Sequence, residues 1–308
     1  MGTWHSLAEH ADQLGESPFW HPQERRLYWV DIPGRCLRRA DPATGAVDSW
    51  PVPQEPGCIA PARSGGLVVA LRDGVYRART WGGALEQVHR FGHDVATTRF
   101  NDGKADPLGR FWAGTLYEPK HAPAAALFSV DCRPDNGQGG QPRVVRQAGD
   151  VTTANGLAWS PDGGTLYWAD TQAHLVRAWD WDAAANRLGA ARVFHQFAPK
   201  PSGWRPGEPG YGGRPDGAAV DAQGNYWCAM YEGARLVKLS PAGELLAVLP
   251  TPVQCPTMPC FGGDDLRTLY VTSAGNRPDD ERARLPRSGH VVWTRVDVPG
   301  LPVNFFID

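Results

Sequence analysis

Short apolar runs alternate with polar turns along the whole chain, and the alternation itself repeats. Four copies of one pattern can be aligned: Glu16-Ser-Pro-Phe-Trp-His-Pro-Gln-Glu24, Asn101-Asp-Gly-Lys-Ala-Asp-Pro-Leu-Gly109, Asn155-Gly-Leu-Ala-Trp-Ser-Pro-Asp-Gly163 and Asp216-Gly-Ala-Ala-Val-Asp-Ala-Gln-Gly224. An aromatic-rich run follows each: Leu27-Tyr-Trp-Val30, Arg110-Phe-Trp-Ala113, Leu166-Tyr-Trp-Ala169 and Tyr226-Trp-Cys-Ala229. Two weaker copies lie at Ile59-Ala-Pro-Ala62 with Leu67-Val-Val-Ala70, and at Cys260-Phe-Gly-Gly263 with Thr268-Leu-Tyr-Val-Thr272. Apolar runs bounded by Asp-Gly, Asn-Gly or Pro-Asp-Gly read as antiparallel strands joined by tight turns. The fullest unit predicts four strands, at 156–159, 165–169, 175–181 and 191–197. Four strands per unit, repeating every forty to sixty residues or so, is the signature of a propeller blade. Six such units fill the chain, which predicts an all-β fold, a six-bladed β-propeller forming one domain over 1–308. The segment 4–11 is expected to add a strand to the last blade beside 291–296, closing the ring and removing its sheet edges.

Composition supports this reading and narrows the function. Gly 36 and Pro 28 supply the turns, and Trp 13 supplies bulk for packing between blades. A formal net charge of −2, without a basic stripe, gives no case for nucleic acid. No apolar stretch is long enough to span a bilayer, and no charged region followed by an apolar run marks a secretory signal at the N-terminus. A cytoplasmic protein is the expectation, although Met1-Gly-Thr-Trp-His-Ser6 fits the permissive N-myristoylation pattern. The six cysteines are scattered without a CxxC pair and are expected to be free thiols. Cys255 and Cys260, flanking Pro-Thr-Met-Pro, are the pair to check. His89 and His93 have the spacing of a helical zinc pair, but Arg90-Phe-Gly92 between them gives no helix. One segment, 198–214, breaks the repeat with Pro and Gly, and reads either as a wall of a site or as a plain excursion between blades.

The first residue of the four strong copies can bind a metal. If the copies surround an axis, their equivalent positions converge on it, bringing Glu16, Asn101, Asn155 and Asp216 to one oxygen-rich point. Oxygen donors of this kind suit a hard divalent cation. A trio such as Glu16, Asn155 and Asp216 leaves coordination positions for water and substrate, as in catalytic sites. Each residue alone could merely begin a turn. Four in register, one of them a Glu where no turn is needed, favour a site. The weaker copies lead from Gly57 or Cys58 and from Thr257, so they add no carboxylate. Gly-x-Ser-x-Gly is absent, so a serine-hydrolase elbow is excluded.

The run Arg99-Phe-Asn-Asp-Gly-Lys-Ala-Asp-Pro-Leu-Gly-Arg-Phe-Trp-Ala-Gly-Thr115 resembles the signature of the SMP-30/gluconolactonase/LRE family, the regucalcin-like sugar lactonases. Leu14-Gly-Glu-Ser-Pro18, Asn155-Gly-Leu-Ala-Trp-Ser-Pro-Asp-Gly163, Pro215-Asp-Gly217 and Cys260-Phe-Gly-Gly263 match its other motifs in order. The resemblance implies one divalent metal on the propeller axis (Ca²⁺, Zn²⁺, Mn²⁺, Mg²⁺ or Fe²⁺), held by Glu16, Asn155 and Asp216. It implies that Arg99 and Asn101 contact substrate hydroxyls, with Asp102 on the same wall and Glu118 in a substrate loop that Pro119 alters. It further implies hydrolysis of an aldonolactone to the aldonic acid; the groups themselves suggest that Asp216, whose carboxylate keeps a spare oxygen as a ligand, also takes a proton from the attacking water. Its partner is a small sugar lactone, and the protein is expected to be a monomer or weak homo-oligomer. Two other readings stay open: a Ca²⁺-binding regulatory propeller without turnover, and a promiscuous paraoxonase-like lactonase or esterase. The 198–214 segment is longer than the usual family connection, so the preferred sugar does not follow from the resemblance.

Overall fold

The computed structural model describes residues 3–308; the myristoylation pattern, which begins at Met1 and Gly2, lies outside the described residues. The chain forms six antiparallel sheets arranged as the blades of a propeller. Blade 1 comprises Gly15–His21, Arg26–Asp31, Cys36–Asp41 and Ala46–Pro51, and blade 2 comprises Pro56–Pro61, Leu67–Leu71, Gly74–Ala78 and Leu85–Arg90. Blade 3 comprises Thr98–Ala105, Phe111–Tyr117, Ala125–Asp131 and Arg143–Val151. Blade 4 has Ala154–Trp159, Thr165–Asp170 and Leu175–Asp182, and its outer strand is split into Arg187–Leu188 and Arg192–Gln196. Blade 5 comprises Arg214–Val220, Tyr226–Tyr231, Arg235–Leu239 and Leu245–Pro250. Blade 6 takes Pro256–Gly262, Thr268–Ser273 and Val292–Arg295 from the C-terminal part and His5–Ser6 from the N-terminal part. The closing strand pairs His5 with Trp293 and Ser6 with Val292. It is shorter than the sequence suggests, because beyond Ser6 only single amides, those of Leu7 and Asp12, reach across to Val291 and Gly289.

The innermost strand of each blade packs against both neighbouring innermost strands, and the sixth meets the first. These strands are buried along their length in blades 1, 2, 4 and 6, whereas the outer strand Leu245–Pro250 is largely exposed. Tryptophans fill gaps between blades. Trp112 of blade 3 meets Trp159 and Trp181 of blade 4 edge-on, at ring-centroid distances of 5.7 and 5.8 Å. The aspartate that reads as a turn signal also anchors these rings. Asp106 accepts hydrogen bonds from the amides of Leu108 and Arg110 and from the indole N–H of Trp112, at 2.8 Å for the last. Asp221 does the same for Gln223, Asn225 and Trp227.

All six cysteines are free. Cys260 lies within the innermost strand Pro256–Gly262, and Cys255 precedes it by five residues. Five extended residues span about 16 Å, well beyond disulfide reach. His89 and His93 lie on either side of Phe91, and the His93 ring bonds to the carbonyl of Arg72 at 2.9 Å, so they form no pair.

The C-terminal tail forms a strap across one mouth of the central channel. Gly300 bridges Asp221 of blade 5, Phe306 bridges Ala62 of blade 2, and the Ile307 amide bonds to the Gly109 carbonyl of blade 3. Asp308 ends the strap as an ion pair with Arg77, 2.8 Å from its Nε. Between these anchors, Leu301, Pro302 and Val303 cover a cavity of about 260 Å³ that Phe19, Trp20 and Lys104 also line. The Phe306 ring is fully buried in the cluster containing Ala62 and Phe111. Phe306→Ala is therefore expected to cost about 3–5 kcal/mol, read from the urea midpoint. An unchanged midpoint would contradict the strap's structural role.

Candidate metal centre and active site

Every innermost strand breaks its hydrogen-bond ladder at the position that leads the repeat. The register shifts fall between Glu16 and Phe19, Phe100 and Gly103, Asn155 and Ala158, and Pro215 and Ala218. The two weaker copies shift between Pro56 and Cys58 and between Pro256 and Pro259. A bulge takes residues out of strict in–out alternation and re-aims their side chains. Local chemistry explains how these segments tolerate it. Gly156 sits at φ +61°, where glycine is favoured. At Gly217 an added Cβ would lie 2.4 Å from the Met258 Cβ. Ser17 adopts φ +50° without being glycine, and its Oγ accepts the Ile59 amide at 3.0 Å.

The bulges gather a buried polar network from three blades. Arg99 donates from Nη1 to Asn101 Oδ1 at 2.7 Å and to the Phe100 carbonyl at 2.9 Å. Asn101 donates from Nδ2 to Asn155 Oδ1 and to the Ala154 carbonyl, each at 2.9 Å. Asn155 donates to Thr171 Oγ1 at 2.8 Å, and Thr171 donates to the Pro215 carbonyl at 2.7 Å. This chain fixes both amide groups and leaves one lone pair of the Asn155 oxygen uncommitted.

Three buried carboxylates, Glu16, Asp102 and Asp216, lie within range of one another's charge with little to satisfy them. Glu16 accepts only the Ser17 amide among the described hydrogen bonds, at 3.1 Å. Asp102 accepts the Leu157 amide at 2.8 Å through Oδ2, while its Oδ1 is buried without a partner. Burial pushes the Glu16 carboxyl well above the usual carboxylate range, and repulsion from Asp216 and Asp102 pushes it further. Burial likewise raises Asp216 well above its usual value, with Asp102 adding to the effect. Asp102 is raised by burial and partly relieved by Lys104. Arg99 acts electrostatically on Glu16 and Asp216, but none of the three carboxylates forms an ion pair among the described residues.

This donor set fits a divalent cation. Buried carboxylates without counter-ions are costly, and their oxygens match a hard metal's preference. No three His, Cys, Asp or Glu side chains among the described residues group as metal ligands by themselves. A centre here would have to draw on the amide oxygen of Asn155 together with Glu16 and Asp216.

Of the residues singled out from sequence, Glu118 sits at the rim. It ion-pairs with Arg72 through Nη2 and faces the Nε of Arg99 at 3.7 Å, so it braces Arg99 from above. Blades 2 and 6 add no carboxylate. Gly57 makes room for the backbone at Phe100, 2.5 Å from where its Cβ would be, and Thr257 donates to the Gly15 carbonyl at 2.6 Å. Sequence reasoning missed Thr171, which has no motif of its own. It also missed Lys104, although that residue belongs to the Asn101-Asp-Gly-Lys copy. Lys104 donates to the Ala218 carbonyl and is close enough to Asp102 to offset its charge.

The 198–214 segment is fastened rather than free. Lys200 bonds to Glu232 at 2.9 and 3.1 Å, and Trp204 is buried and packs on Tyr211. The Tyr211 hydroxyl bonds to the His174 ring at 2.7 Å, and Arg235 donates to the Gly212 carbonyl at 2.9 Å. The segment thus walls the gap between blades 4 and 5 and delivers Arg214, Pro215 and Asp216 into the innermost strand.

These electrostatics fix a pH dependence for the metal-free protein. With raised carboxyl pKa values, the folded state keeps protons that the unfolded chain has already released. Stability is expected to fall as pH rises above the ordinary carboxylate range, by up to about 1.4 kcal/mol per pH unit for each proton retained. A divalent cation competes with those protons, so its stabilising effect should grow with pH. Urea denaturation across that range, with chelator and with metal, checks both signs; chelated protein that gains stability as pH rises there would contradict the account.

The SMP-30/Gluconolactonase/LRE-like region profile matches residues 14–275. A 6-deoxy-6-sulfogluconolactonase of Pseudomonas putida is 42% identical over 95% of this chain and 94% of its own length. Regucalcin of Gallus gallus is 34% identical over 94% of this chain and 93% of its own. The crystal structure of a calcium-binding protein, regucalcin, from Agrobacterium tumefaciens superposes with a TM-score of 0.88 at 26% identity, covering 99% of this chain and 97% of that one. Six blades, the ordered motifs and matches that run nearly end to end lead to one conclusion: this chain belongs to the SMP-30/gluconolactonase/LRE-like family.

Proposed function

We propose that the protein is a metal-dependent sugar lactone hydrolase of the gluconolactonase type that works in the cytoplasm and converts an aldonolactone to its aldonic acid. One observation carries the reading: Glu16 and Asp216 are desolvated, without ion pairs among the described residues, and within reach of the charge of Arg99, which with Asn101 forms a polar wall bonded to Asn155. A bare ion-binding site has no need of that wall. The sulfogluconolactonase relative supports a sugar lactone as substrate and brings lactones with an anionic substituent into consideration.

In this reading Glu16, Asn155 and Asp216 hold one divalent cation, for which Ca²⁺, Zn²⁺, Mn²⁺, Mg²⁺ and Fe²⁺ are the candidates. When bound, that ion supplies Lewis acidity toward the lactone carbonyl and the oxyanion that develops there. Arg99 commits Nη1 to Asn101 and the Phe100 carbonyl and turns Nε toward Glu118, so Nη2 is the donor left for sugar hydroxyls. Asn101 is locked between Arg99 and Asn155 and keeps that wall in register with the metal ligands. Asp102 and Glu118 complete the wall, Glu118 by bracing Arg99. Water adds to the lactone carbonyl carbon and gives up a proton to Asp216. The ring carbon–oxygen bond then breaks, and the proton returns to the departing ring oxygen, leaving a hydroxyl and a carboxylic acid.

The calcium-binding propeller without turnover is the second reading, favoured by the all-oxygen donor set and by the regucalcin relatives. Hydrolysis of a panel of aldonolactones by chelator-stripped protein, with single metals restored, separates the two. Acid release that returns with metal is expected. Asp216→Ala is expected to lower kcat by about a thousandfold or more, and Arg99→Ala to raise KM about tenfold with a smaller effect on kcat. Full activity in Asp216→Ala would contradict the mechanism, and saturable metal binding without turnover under any metal would favour the second reading.

A further inference from the structure

The buried polar network has a direction, and its two ends set it. At one end the Arg99 guanidinium can only donate, and at the other the Pro215 carbonyl can only accept. Between them stand two amides and one hydroxyl. Arg99 Nη1 donates to Asn101 Oδ1, so Asn101 turns its Nδ2 toward Asn155, where the Ala154 carbonyl accepts from it as well. Asn155 receives that bond on Oδ1 and donates in turn from Nδ2, to Thr171 Oγ1 at 2.8 Å. A hydroxyl carries one proton. Thr171 commits it to the Pro215 carbonyl at 2.7 Å, which leaves only lone pairs for Asn155. No member of the chain can be reversed without setting donor against donor or acceptor against acceptor.

Thr171 is where this chain crosses from blade 4 to blade 5. It follows the strand Thr165–Asp170 and is buried. Backbone contacts fix its place. Its amide donates to the Thr153 carbonyl at 3.2 Å, and the adjacent Asp170 carboxylate accepts from the amides of Thr152, Thr153 and Gln172. Among the described hydrogen bonds, no other side chain touches both the Asn155 amide and the backbone of the strand that carries Asp216. The carbonyl it holds belongs to the peptide unit joining Pro215 to Asp216. The backbone after Asn155 is pinned from other blades, Gly156 by the Tyr226 hydroxyl at 2.7 Å and Leu157 by Asp102 at 2.8 Å. The Asn155 side chain and the Asp216 backbone are thus tied through one oxygen atom.

We propose that Thr171 is a positioning residue for the metal centre: its hydroxyl fixes which face of the Asn155 amide carries the oxygen, and it sets the spacing between Asn155 and Asp216. The proposal rests on the metal-dependent reading above and adds to it a residue that acts through two of the ligands. The physical reason lies in what the hydroxyl satisfies. Without it, the Asn155 Nδ2 and the Pro215 carbonyl are left buried and unpaired, and the site must shift to find them partners. Groups that orient metal ligands in this way typically change metal affinity ten- to a hundredfold when removed.

The test titrates chelator-stripped protein with Ca²⁺ and with Mn²⁺ by calorimetry, in the wild type, Thr171→Ser, Thr171→Val and Thr171→Ala, each with its metal-free urea midpoint measured alongside. Valine keeps the shape and loses the hydroxyl; alanine loses both and serves if the valine variant does not fold; serine keeps the hydroxyl. Affinity is expected to fall by about 10- to 100-fold in Thr171→Val and Thr171→Ala, and to stay near the wild type in Thr171→Ser. A lowered urea midpoint with unchanged metal affinity would give Thr171 a structural role alone and overturn the proposal. So would a serine variant as impaired as valine, since the methyl rather than the hydroxyl would then matter. In either case wild-type binding still stands, so the metal-dependent reading survives. No saturable binding of either ion by the wild type contradicts that reading and the role of Thr171 with it.

Discussion

Three carboxylates, Glu16, Asp102 and Asp216, are buried within range of one another's charge, and none has a counter-ion in contact among the described residues. In a low-dielectric interior that arrangement is stable only if the groups hold protons or a cation enters. Much of the surrounding structure can be understood as managing this constraint. Arg99 from the rim side and Lys104 from the strap side lower the repulsion without forming ion pairs that would occupy the carboxylate oxygens. The Arg99–Asn101–Asn155–Thr171 chain fixes the neutral oxygen donor beside them. The bulges are what permit side chains from separate blades to face a common centre at all.

A site assembled from several blades is only as well defined as the ring that holds them. The ring is closed twice. His5–Ser6 completes blade 6, and the tail from Gly300 to Asp308 ties blade 5 to blades 2 and 3 across the opposite mouth of the channel. Tryptophans between blades, two of them (Trp112 and Trp227) with indoles bonded to turn aspartates, limit relative movement. The site residues themselves sit on innermost strands rather than loops, where packing and hydrogen bonds from both neighbours hold them. The rim is different in kind. Glu118, Lys120 and the 198–214 segment come from connections, which is where differences in substrate can be accommodated without moving the axis.

Much of this was legible in the chain. The turn-bounded repeats predict the blades, and their lead positions predict that Glu16, Asn101, Asn155 and Asp216 come from equivalent places. The bulges were not legible as such, since a register shift is a property of two strands. Only the glycines at 156 and 217, in positions where a strand would favour a side chain, hinted at one. The strap escaped notice because its residues have no alternation; they are apolar where they cross the channel and bond singly to other strands. Thr171 and Lys104 act through partners distant in sequence, Pro215 and Ala218, that no local pattern connects.

A divalent cation held by the buried carboxylates would displace the protons that their burial favours. Calorimetric titration of chelator-stripped protein with such a cation, repeated in buffers of different ionisation enthalpy, measures both stoichiometry and proton release. One ion per chain, with protons released on binding and the affinity lost in Glu16→Gln, is the result this account predicts. No saturable binding, or binding that Glu16→Gln leaves unchanged, would contradict it.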